Sequence, residues 1–99
     1  MNIQAIRWAR VEIKYAEKCT VGRGVGPAIF DSDIFTDALV TFENNTLRIQ
    51  ETIGDRNRSI LLGRARLVSL TPYNAQLDAY WLLLGVGGKT VPATIVCTF

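Results

Sequence analysis

Residues 22–26 read Gly22-Arg23-Gly24-Val25-Gly26, three glycines at alternate positions around one guanidinium. Successive backbone N–H groups in such a stretch can form a concave anion nest, and Arg23 would add charge to it. The Gly-Lys-Ser/Thr ending of a phosphate loop is missing, and the last two glycines are too close for a dinucleotide fingerprint. A bulged connection between two strands is the simpler reading. A second basic group follows at Arg56, Arg58, Arg64 and Arg66, and eight of the eleven basic residues are arginine. Arg56 and Arg58 fall in or beside a reversal, and Arg64 and Arg66 share a face if 64–70 is extended. Arg48 would then lie on a neighbouring strand. Four or five guanidinia on one sheet face would suit a nucleotide or nucleic-acid phosphate, or an acidic protein. The interleaved aromatics of a single-strand reader are absent from this stretch. A solvated face neutralised by Glu43, Glu51 and Asp55 explains the pattern as well.

Acid–base and metal chemistry have less to work with. Histidine is absent, which removes the commonest general base, the Ser-His-Asp and Cys-His nucleophile schemes, and most zinc sites. Asp31, Ser32, Asp33 and Asp37 lie close together, but Ile34-Phe35-Thr36 interrupts them and no calcium-loop pattern results. Helix capping by Asp31 or Ser32 accounts for them better. A small enzyme using a carboxylate pair is the remaining catalytic reading, and a non-enzymatic role without metal or cofactor is preferred. Cys19 and Cys97 stand at opposite ends of the chain, too few for a disulfide scaffold. The start of the sequence has no charged leader with an apolar stretch behind it. Reduced thiols and a cytoplasmic location are therefore expected.

The elements that must position these groups are mostly strands. Ala9-Arg10-Val11-Glu12-Ile13-Lys14-Tyr15 alternates apolar and charged residues over seven positions, the period of a strand with one wet face. A capped turn at Asp31-Ser32-Asp33 followed by a strand at 38–42 is expected next. Glu43-Asn44-Asn45 and Gly54-Asp55-Arg56-Asn57 mark reversals on either side of Leu47, Ile49, Glu51 and Ile53. Ser59-Ile60-Leu61-Leu62 is another strand, with Gly63 as a bulge or bend before 64–70 resumes it. Thr71-Pro72 opens an ambiguous segment. Thr71 as N-cap, Pro72 at the first helical position and Gly85 past the end bracket a helix over 72–84. The run Tyr80 to Leu84, with Gly87-Gly88 and Thr90 to Phe99 behind it, reads instead as a hairpin. The hairpin is preferred, and Pro92 makes its last strand an edge strand or one with a free side there.

Ninety-nine residues and 11.0 kDa make one domain, 1–99, with a single core. A 48% apolar fraction argues against disorder. No stretch approaches the ~20 apolar residues of a helical membrane span, so no membrane role is expected. The fold class is mainly β, a small antiparallel sandwich or partly open barrel of five to seven strands; the alternative is α+β with one helix near 72–84. A run as apolar as Tyr80 to Leu84 asks for cover on both faces. A homo-oligomer interface through Tyr80, Trp81, Leu83, Val91, Ile95 and Phe99 would supply it. A non-enzymatic binding or assembly module fits best, of the kind a virus or mobile element uses as a small structural or accessory protein. An anion-binding domain is the alternative.

Overall fold

The computed structural model describes residues 5–22, 27–82 and 90–99, with the side chains of 5–7, 19–22, 27–30, 56 and 82 excepted. Six strands follow one another in chain order: β1 (Ala5–Gly22), β2 (Pro27–Glu43), β3 (Thr46–Ile53), β4 (Arg56–Leu70), β5 (Asn74–Leu82) and β6 (Thr90–Thr98). Each pairs antiparallel with the next, and β6 closes on β1 through Arg10↔Thr98 to Tyr15↔Ala93, so the sheet is a closed meander barrel. Closure covers the inner face of every strand without a second layer.

Period-2 alternation builds the interior. Ala9, Val11, Ile13 and Tyr15 of β1 face inward, as do Leu47 and Ile49 of β3, Leu77 and Ala79 of β5, and Val91, Ala93, Ile95 and Cys97 of β6. Phe42, Leu67, Trp81 and Phe99 pack against this core from its margins. The tight reversals use residues that accept a left-handed backbone: Asn44 and Asn45 have φ of 52° and 60°, and Gly54 has φ of 60°.

One segment differs from the preferred sequence reading, and at another the helical alternative fails. Asp31 and Ser32 do not cap a turn; β2 runs unbroken from Pro27–Glu43. Its register slips by one residue opposite Arg10, because Ala9 pairs with Ala38 while Val11 pairs with Phe35. That bulge at Thr36-Asp37 changes the inward positions from Asp33 and Phe35 to Ala38 and Val40. The resulting spacing of three imitates one turn of helix. The helix weighed as the alternative over 72–84 does not form in the described part, where 74–82 is strand as in the preferred hairpin reading. Thr71 does accept hydrogen bonds at its hydroxyl from the N–H groups of Tyr73 (3.2 Å) and Asn74 (3.1 Å), as an N-cap would. The Thr71 N–H donates to the Asn74 carbonyl at 2.8 Å, and the turn closes into the β4–β5 hairpin instead of propagating.

The expected irregularity at Gly63 is present. Gly63 pairs with Tyr80 and Arg66 with Asp78, so β4 carries one extra residue between them. Arg64 occupies it with φ of 50°, and the Ala65 N–H behind it donates to the Asn45 carbonyl at 2.7 Å. A side chain in this region costs about 1–2 kcal/mol that glycine escapes. Arg64→Gly should therefore be more stable than Arg64→Ala by about 1 kcal/mol, the reverse of the usual strand-interior order. Chemical denaturation of the two variants checks this. An alanine variant at least as stable as the glycine one would refute the strain.

Candidate functional site

The ionised groups inside the barrel gather where β2, β3 and β4 meet. Glu51 and Arg58 are cross-strand partners on β3 and β4, so their side chains share the inward face. Arg58 Nη2 donates to Asp33 Oδ1 at 2.6 Å, with the Asp33 side chain 1% exposed and that of Arg58 23%. The guanidinium carbon of Arg58 lies 3.9 Å from the centre of the Phe35 ring. Asp33 Oδ1 also accepts the Ile34 N–H at 2.8 Å. Glu51 Oε2 accepts three hydrogen bonds: from the Thr36 N–H at 2.8 Å, the Thr36 hydroxyl at 3.2 Å and the Asp37 N–H at 3.2 Å. Those two N–H groups belong to the β2 bulge, so the Glu51 carboxylate replaces the ladder partners that the bulge displaces.

This arrangement holds strands together. Glu51 is committed to backbone donors, and Asp33 and Arg58 largely neutralise each other. Among the described residues there is no group of three or more His, Cys, Asp or Glu side chains that could hold a metal ion. Cys97 is a free thiol buried in the core, and burial pushes its pKa up to about 11. It is a poor nucleophile at neutral pH.

Of the arginines expected on one face, Arg48, Arg64 and Arg66 are exposed. Arg58 turns inward, as described. Arg66 pairs outward with Asp78 at 3.1 Å. Arg64 lies over the Tyr80 ring at 5.5 Å, and Arg48 is exposed on β3 beside Leu61. The Arg56 side chain, Arg23, Gly24 and Gly26 lie outside the described residues, and Gly22 is the last residue of β1. The expected oligomer face is also redistributed. Val91 and Ile95 are fully buried inside a single chain, and Trp81 and Phe99 pack on the same core. Closure of the barrel gives the hairpin the cover that a second subunit was expected to give. Tyr80 is half-buried on the outer side, and Leu83 lies outside the described residues.

Sequence reasoning passed over where the ladders of the sheet end. The β1–β6 ladder ends at Tyr15↔Ala93, one residue before Pro92, which has no N–H to offer. The β2–β3 ladder covers only Leu39↔Gln50 to Glu43↔Thr46. Beyond those points the β1–β2 ladder resumes from Cys19↔Phe30 to Gly22↔Pro27, after an irregularity in which five steps of β1 answer two of β2. The result is a two-stranded arm. Pro92 was the one legible signal, since it marks where the last strand lets go of its neighbour.

Comparison with family models, curated proteins and solved structures finds no match. The functional reading therefore rests on the arm, the outer surface and the interior pair. Among the described residues, no helix is long and apolar enough to cross a membrane.

Proposed function

We propose that this chain is a non-enzymatic assembly module that works as a homo-oligomer. The observation that carries this reading is the β1–β2 pairing from Cys19↔Phe30 to Gly22↔Pro27, which runs past the ends of the β1–β6 and β2–β3 ladders. A two-stranded hairpin by itself is marginal in water. The outer surface adds weight: Val68, Leu70 and Tyr73 crowd one end of the β4–β5 hairpin at 47%, 57% and 76% exposure. Apolar side chains concentrated in this way favour association.

Light scattering after size exclusion, at tens of micromolar, tests the proposal. The expected mass is a small whole multiple of the 11.0 kDa chain. A monomer at that concentration overturns it.

A further inference from the structure

We infer that the outer face across β4, β5, β6 and β1 holds a nucleotide of a single-stranded nucleic acid, with its base on the Tyr80 ring and its phosphates at Lys14 and Arg64. The inference goes beyond the assembly reading and does not depend on it.

Cross-strand register builds the place. Lys14 of β1 stands opposite Thr94 of β6, Thr94 opposite Asp78 of β5, and Asp78 opposite Arg66 of β4. Two residues further along β5, Tyr80 pairs with Pro92 on one side and Gly63 on the other. Lys14, Thr94, Tyr80 and Pro92 help to line a groove of about 370 Å³, within the ~300–1,000 Å³ of small-ligand sites. Asp78 is the acid among the lining residues, and Arg66 already pairs with it at 3.1 Å. Lys14 and Arg64, on opposite flanks, then give the groove its sign.

Arg64 is the extra residue of β4 and holds a left-handed backbone, with φ of 50°. Its guanidinium carbon lies 5.5 Å from the centre of the Tyr80 ring. Strain retained at a bulge beside a groove is a common mark of a functional position. A guanidinium over one face of the ring steadies it and leaves the opposite face for a base. Base–aromatic stacking of this kind tolerates any sequence, because every base has a π-face. The arginines have no aromatic among their neighbours in sequence, and β5 supplies one.

A single strand, in preference to a free nucleotide, follows from a second groove. It encloses about 390 Å³, shares Lys14 and Thr94 with the first, and carries Ile34 and Val96 at 49% and 39% exposure. Its acids, Glu12 and Asp33, are paired with Arg10 and Arg58. A chain passing Lys14 therefore enters both grooves, with one base on Tyr80 and the next sugar or base against the two aliphatic side chains.

Fluorescence anisotropy of a labelled oligothymidine of about twelve nucleotides tests this at about 50 and 200 mM salt. The wild type should bind, more weakly at the higher salt. Tyr80→Leu should raise the dissociation constant about 5–150-fold, the usual worth of one stacked base. Lys14→Ala and Arg64→Gly should each flatten the log–log salt slope by about 0.7, the loss of one phosphate contact. Lys14 is exposed and glycine suits the backbone at 64, so binding lost at an unchanged melting temperature is loss of the site. Thymidine monophosphate should displace the strand only at far higher concentration. No binding at the lower salt, or equal binding by Tyr80→Leu, overturns the inference. A polyglutamate peptide that displaces the strand as well as unlabelled oligothymidine does also overturns it, since the surface would then take any polyanion. A mononucleotide that binds as tightly as the oligomer overturns the strand as occupant.

Discussion

Replacing Arg58 with alanine should destabilise the barrel by about 3–5 kcal/mol, because it strips the charged partner from a carboxylate with no access to water. The Asp33 side chain is 1% exposed, and the 2.6 Å contact with Arg58 links β2 to β4 across the strand between them. For a domain of this size the melting temperature should fall by more than about 12 °C. Removing both charges should do less harm than removing one. Asp33→Leu combined with Arg58→Met removes both members of the pair, and such apolar replacements are often neutral or better. Urea denaturation of wild type, the two single variants and the double variant measures the coupling. A single Arg58→Ala variant within 1 kcal/mol of wild type would show that water or other groups already satisfy Asp33, and the interior pair would lose its structural role.

The same pair shows why part of the site escaped a reading of the sequence. The alternation Leu47, Ile49, Glu51 was legible, and it already places a carboxylate on the inward face. What it cannot reveal is the demand that brings the carboxylate there, two backbone N–H groups in a bulge on another strand. The bulge itself was hidden because one extra residue turns a spacing of two into a spacing of three. Phe35, Ala38 and Phe42 then look like a helical stripe. Thr71 was legible in the opposite sense. Its capping chemistry is correct, yet a cap does not extend a helix, and inward Ala75, Leu77 and Ala79 continue the chain as strand. Reversals at Asn44-Asn45 and Gly54-Asp55 were the easiest to place, since their backbone angles depend on the local residue type. Closure was the least accessible. Whether Val91 and Ile95 meet a partner subunit or their own barrel depends on β6 finding β1, across almost the full chain length. Val91 and Ile95 were expected at a subunit interface for that reason, and the barrel's own core holds them.

Phe35→Ala should cost about 3–5 kcal/mol, a loss comparable with that at Arg58 but of a different kind. Phe35 is 0% exposed and is the largest fully buried side chain among the described residues, in a core cluster that also holds Ala38. Truncation leaves a void that a closed sheet cannot collapse to fill, since each strand is pinned by two ladders over much of its length. Phe35→Leu keeps most of the volume and should cost clearly less than the alanine change. The ring also lies 3.9 Å beneath the Arg58 guanidinium, whose charge is already compensated by Asp33. A double-mutant cycle of Phe35→Leu with Arg58→Met should report a coupling of about 0.5–2 kcal/mol if the ring face stabilises the cation. No coupling, with the alanine loss intact, would make Phe35 a space-filling residue only. In that case Asp33 alone holds Arg58 inside the barrel, and the aromatic face contributes packing without electrostatics.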